Sequence, residues 1–227
     1  MSLPMKNVKI APSMMCADFI NLGRDLADMK AGGVDYLHID IMDGHYVPNF
    51  TLGPDYCRAL AAASPIPLDI HLMIERLDEH VPLFAKIPNA VVSIHPEAAR
   101  HPLRTLELIR SLGARPAIAV DPAMPLSAIE EMLPFVSMVC VMTVNPGYAG
   151  QKLVASALAK IPVLCARRAE RGLDFEIEID GNVSWENIPK MVDAGGEILV
   201  AGTSSLFDRK ADLAANLAKM RKMIGRV

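Results

Sequence analysis

The chain has 227 residues, a formal charge of −3 with both signs interspersed, and an apolar fraction of 52%. No basic stripe points to nucleic acid, no apolar run approaches the roughly 18 residues of a membrane span, and the opening MSLPMKNVKIAPS holds no signal-peptide apolar core. Nucleic-acid and membrane partners are excluded on these grounds, and a cytoplasmic location is expected. The four cysteines, Cys16, Cys57, Cys140 and Cys165, form no CxxC pair, which argues against a structural zinc site of that type and fits a reducing compartment. The Met-Ser-Leu start reads as a cloning leader over residues 1–4, with native sequence from Met5.

In chain order, short apolar runs alternate with stretches of helical spacing. The predicted strands are VKIAPSM (8–14), DYLHIDI (35–41), IPLDIHLM (66–73), AVVSIH (90–95), RPAIAV (115–120), MVCVMTV (138–144), FEIEID (175–180) and EILVAG (197–202). Segments such as 21–33 and 103–113 carry apolar residues at helical spacing. Glycines in AGGVD, SLGAR and DAGGE stand where helices stop. No Pro/Ser/Gly-rich linker divides the chain. Eight β-then-α units at this length predict an α/β fold, a (β/α)8 TIM barrel spanning residues 1–227 as one domain. A doubly wound open sheet is the alternative. In a barrel, chemistry sits at the C-terminal ends of the strands.

Those ends carry an unusual set of side chains. Strand two alternates Leu37, Ile39 and Ile41 with His38, Asp40 and Met42, the pattern of a half-buried strand. Strand three brings His71 in phase with Asp69 and Met73, and strand seven brings Asp180 in phase with Glu178. A lone inward histidine is more often a hydrogen-bonded core residue, and a strand-end aspartate is often a helix cap. Two histidines and two carboxylates aimed at one mouth also make a divalent-cation site. Two aspartates facing across a barrel could remove a proton from one face of a substrate carbon and return it to the other. A cation polarising an adjacent carbonyl would acidify that proton.

Met42, Met73 and Met142 fall at strand ends and would floor such a site, although methionine is usually core filler. Ser13, ending strand one, could meet a substrate hydroxyl or cap the next helix. Glycine-containing loops follow the last three strands: Gly147, Tyr148, Ala149 and Gly150; Gly181 and Asn182; Gly202, Thr203 and Ser204, the last followed by a helical pattern. Late loops of a barrel often hold phosphate through backbone N–H groups and a short helix N-terminus. Each loop alone is also ordinary turn chemistry.

APSMMCADF, LHIDIMDGHYVPN, DIHLM, MTVNPGYAGQ, EIDGNV and AGTSSLF, in that order over nearly the whole chain, resemble the ribulose-phosphate 3-epimerase family. The resemblance implies a barrel with one divalent metal ion (Zn, Fe(II), Mn or Co) on His38, Asp40, His71 and Asp180. It implies Asp40 and Asp180 as the acid–base pair that inverts C3 through an enediolate. It places Ser13 and His71 against a sugar-phosphate substrate, the three glycine loops around its far end and phosphate, and the chain in a homo-oligomer. The leading substrate is D-ribulose 5-phosphate, converted to D-xylulose 5-phosphate. Ala149, Asn182, Thr203 and the SMMC start depart from the usual pattern toward the allulose-6-phosphate 3-epimerase branch, so conversion of D-allulose 6-phosphate to D-fructose 6-phosphate is the alternative. A decayed, merely sugar-phosphate-binding protein would have lost a ligand, and all four are present. The DxKxxD motif of related decarboxylase and synthase barrels is absent: Asp28 and Lys30 are followed by Gly33.

Overall fold

The computed structural model describes residues 8–225; the leader expected at residues 1–4 lies outside them. Eight strands appear at the predicted places: β1 (Lys9–Pro12), β2 (Leu37–Met42), β3 (Leu68–Met73), β4 (Val91–Ile94), β5 (Arg115–Val120), β6 (Met138–Met142), β7 (Glu176–Asp180) and β8 (Ile198–Ala201). Around them lie α1 (Leu22–Ala31), α2 (Pro54–Ala63), α3 (Leu77–Phe84), α4 (Pro102–Ser111), α5 (Ala155–Leu158), α6 (Lys160–Arg171), α7 (Ile188–Ala194) and α8 (Leu213–Met223). Every ladder is parallel, and the strand order runs β1-β8-β7-β6-β5-β4-β3-β2. The two ends of that order meet: Ser13 bridges His38, and the N–H groups of Asp35 and Tyr36 donate to Ile10 O at 3.0 and 3.3 Å. The sheet is therefore closed, which rules out the open doubly wound alternative. No helix among the described residues is long and apolar enough to cross a membrane.

Strand two differs from the half-buried pattern: all six residues of β2 are buried, as are all six of β3. In a parallel barrel the outer face is covered by helices and the inner face by the bore, so neither face meets water. Ile39, Ile70, Val92, Ile118, Val139, Ile177 and Leu199 pack outward into one large apolar layer beneath the helices. The bore is closed at its N-terminal end. There Lys9 pairs with Glu176, Tyr36 Oη donates to Glu176 Oε2 at 3.3 Å, and Arg115 Nη2 donates to Tyr36 Oη at 2.9 Å. Above this plug comes an apolar layer that includes Ala11, Val91, Ala117, Met138 and Ile198.

Two helical expectations fail. Between β5 and β6 there is no α-helix, only 3-10 turns at Leu126–Ala128 and Leu133–Phe135. Pro122, Pro125 and Pro134 remove backbone donors throughout that segment. After β8 the chain closes in turns, with Ser205 N and Phe207 N both donating to Gly202 O at 3.1 Å, and α8 starts only at Leu213. The helical pattern predicted directly after 201–205 is thus displaced, and no α-helix begins at the β8 loop. Helix stops behave as expected: Gly195 ends α7 in the left-handed region at φ 113°.

Candidate active site at the barrel mouth

Alternation along β2 turns His38 and Asp40 into the bore, and the β2–β3 register sets Asp40 beside His71. Asp180, the last residue of β7, arrives from across the bore. The four predicted ligands converge: His38 Nε2 lies 3.3 Å from Asp40 Oδ1 and 4.0 Å from Asp180 Oδ2, and His71 Nδ1 lies 3.5 Å from Asp40 Oδ1 and 3.6 Å from Asp180 Oδ2. Donor atoms held about 2.0–2.2 Å from one cation stand about 3–4 Å apart, so the set fits a divalent ion. His71 Nδ1 is buried without a hydrogen-bond partner and faces both carboxylates. A buried imidazole nitrogen without a hydrogen bond, aimed between two carboxylates, is suited to ligate a cation.

The electrostatics agree. Burial disfavours charge on His38, yet Asp69 and Asp40 hold its pKa well above the usual imidazole value. Burial likewise opposes charge on His71, but its contacts with Asp180 and Asp40 raise it to about 9. Burial pushes Asp40 up, and His38 and His71 more than reverse this, leaving it far below the usual carboxylate range. The two carboxylates thus favour positive charge at this point, the charge that a bound cation would supply.

The candidate ligands are braced from behind. His38 Nδ1 hydrogen-bonds Asp69 Oδ2, which leaves Nε2 to face the site. Glu178, fully buried, sits within 3.8 Å of His38 Nδ1; burial first, then the neighbouring Asp69, push its pKa well above the usual carboxylate range. Ser13 Oγ donates to Asp40 Oδ2 at 3.0 Å and makes no helix-cap bond, which settles its side chain on the site. Met42 and Met73 are register partners, Met142 is the partner of Asp180, and all three are at most 5% exposed and line the cavity.

Above the proposed ligands opens a cavity at the barrel mouth. The three predicted loops form its wall: 147–150, 181–182 and 202–204. At Gly181 the turn needs φ 112°, and a Cβ would stand 2.8 Å from Val144 N. Asn182 follows at φ 46°, a left-handed value that asparagine tolerates. Its amide is used on the loops themselves: Nδ2 donates to Gln151 O at 2.5 Å, and Oδ1 accepts from Asn187 Nδ2 at 2.9 Å.

Several residues here were not singled out beforehand. Cys16, Met15 and Gln151 line the cavity. His95, directly after β4, meets His71 with the two Nε2 atoms 2.9 Å apart, and Glu97 and Asp121 stand behind it. The strand-end rule that found His71 applies equally to His95, which closes AVVSIH.

Comparison with known proteins shows the family. The model of the ribulose-phosphate 3 epimerase family matches residues 9–207. The ribulose-phosphate 3-epimerase of Bacillus subtilis (strain 168) is 42% identical over 198 residues, covering 87% of this chain and 91% of that protein. That of Escherichia coli (strain K12) is 38% identical over 224 residues, covering 98% and 99%. Among solved structures, a tryptophan synthase α-subunit from Pyrococcus furiosus superposes with a TM-score of 0.67 at 13% identity, covering 98% of this chain and 100% of that one, a likeness of fold alone. With its barrel, its strand-end residues and its relatives in accord, the chain belongs to the ribulose-phosphate 3-epimerase family and is an isomerase acting on carbohydrates.

Proposed function

We propose that this protein is a metal-dependent 3-epimerase of a ketose phosphate, acting on D-ribulose 5-phosphate. One observation carries the reading: carboxylate oxygens of Asp40 and Asp180, from strands on different sides of the bore, both approach His71 Nδ1, at 3.5 and 3.6 Å. A substrate carbon above that point would present one face to each aspartate. His38, Asp40, His71 and Asp180 would hold the divalent ion, which, when bound, draws charge from a carbonyl oxygen and so acidifies the neighbouring C–H.

One aspartate takes the C3 proton, and the electron pair of the broken C–H bond passes into the C2 carbonyl as an enediolate. The other aspartate, protonated at the start, gives its proton to the opposite face of C3. In the reverse direction the roles exchange. Ser13, donating to Asp40 Oδ2, fixes the rotamer of that carboxylate. Met42, Met73 and Met142 give the reacting carbon a dry, polarizable floor. The loops at 147–150, 181–182 and 202–204 would take the phosphate through backbone N–H groups.

The pentulose is favoured because the loop departures have local explanations. Asn182 satisfies a left-handed turn and ties two loops together, and Ala149 has no positive φ to accommodate. Both named relatives are ribulose-phosphate epimerases. Side-by-side measurement of kcat/KM with added divalent metal is expected to favour ribulose 5-phosphate over allulose 6-phosphate by at least roughly tenfold, the worth of about 1.4 kcal/mol in the transition state. The opposite preference would reassign the substrate. Asp180→Asn is expected to fold but to turn over neither substrate, and wild-type exchange of the C3 proton with deuterated water in that variant would remove Asp180 from the acid–base pair.

A further inference from the structure

His71 is buried, and its two ring nitrogens have different tasks. Nδ1 faces Asp40 and Asp180. Nε2 lies 2.9 Å from Nε2 of His95, a fully buried residue directly after β4. The ring centres are 5.0 Å apart with planes inclined by 22°. With the nitrogens so much closer than the centres, the rings meet edge to edge through these two atoms. One must donate and the other accept.

The direction of that bond is fixed by the site proposed above, on which this inference rests. An Nδ1 that offers its lone pair to a cation carries no proton, so the proton of neutral His71 sits on Nε2 and is donated to His95. His95 Nε2 must then be bare, which puts its own proton on Nδ1. His95 Nδ1 stands 3.2 Å from Asp121 Oδ1 and 3.4 Å from Glu97 Oε1. His95 Nδ1 and Asp121 Oδ1 are both buried with no other hydrogen-bond partner, and pairing them satisfies both. Glu97 Oε1 already accepts from Tyr46 Oη at 2.7 Å, and the Tyr46 ring packs on His95 with centroids 4.8 Å apart.

We propose that His95 is a positioning residue for the ligand His71, and that Asp121 anchors it in a carboxylate–imidazole–imidazole relay. The relay fixes the tautomer and orientation of His71 and strengthens Nδ1 as a donor, as Asp69 does directly for His38. Both histidine ligands then end on a carboxylate, one at first hand and one through an intervening ring.

The test is Co²⁺ binding to the metal-free full chain, by calorimetry and the visible cobalt spectrum. His95→Phe, which keeps a ring but cannot accept, is expected to weaken Co²⁺ binding by roughly 10- to 100-fold. His95→Gln, whose carbonyl can accept from His71, is expected to recover most of that loss and the wild-type spectrum, which a purely space-filling role would not give. Wild-type Co²⁺ affinity in folded His95→Phe would overturn the relay. If His95→Phe fails to fold, Asp121→Leu decides: weaker binding supports the relay and unchanged binding overturns it. A wild-type chain that takes up no Co²⁺ would instead sink the metal site itself, so the two failures are distinguishable.

Discussion

Gly181 turns β7 into the cavity wall at φ 112°, with Val144 closing the space where a side chain would go. Gly181→Ala is expected to cost about 2 kcal/mol, read as a lower urea midpoint with an unchanged slope. At His71, replacement by alanine should abolish both Co²⁺ uptake and turnover, and stoichiometric Co²⁺ in that variant would end its assignment as a ligand. The four proposed ligands and their two in-phase carboxylates could be read from the chain because period-two alternation puts every second residue of a strand into the bore. His95 and Asp121 could not be paired that way. They lie on different elements, and their relation is made by the side-by-side placement of β3, β4 and β5, which no spacing in the sequence records. Asn182 reads as a substrate marker in sequence and as a turn residue in structure, because the sign of its φ is invisible until the turn is built.

The β5–β6 connection is the element most unlike its expectation. Three prolines replace a helix with two 3-10 turns, and the segment is held instead by Lys160, at the start of α6. Lys160 Nζ donates to Asp121 O, Pro122 O and Met124 O at 2.5, 2.9 and 2.6 Å. Burial lowers its pKa, the attraction of Asp121 notwithstanding. Lys160→Met would strand three carbonyls and is expected to destabilise by about 1–3 kcal/mol, with faster proteolytic cleavage around residues 121–136. The strands themselves were legible because each is a short apolar run between polar turns. The missing helix was hidden by apolar residues that serve equally well under a 3-10 turn, so only the proline count argued against it.

For the whole molecule, eight strands in 227 residues pointed to a barrel, but closure itself depends on the meeting of β1 and β2, between residues about 25 apart in the chain. The proposed ligands stand on β2, β3 and β7 and so reach around that joint. Because the native arrangement alone assembles them, Co²⁺ at about 100 times its Kd should add about 2.7 kcal/mol and raise Tm by roughly 5–10 °C. Calorimetry of His71→Ala under the same conditions should show no such rise.

Among the described residues, the plug of Lys9, Tyr36, Arg115 and Glu176 closes the N-terminal end of the bore and leaves the mouth as the way in. A molecule that reaches the ligands must leave by the way it came, so the product has to vacate before the next substrate can enter. No queue can form behind the reaction centre. The two epimers must therefore compete for one vacancy, and each should inhibit the other's entry in a strictly competitive way.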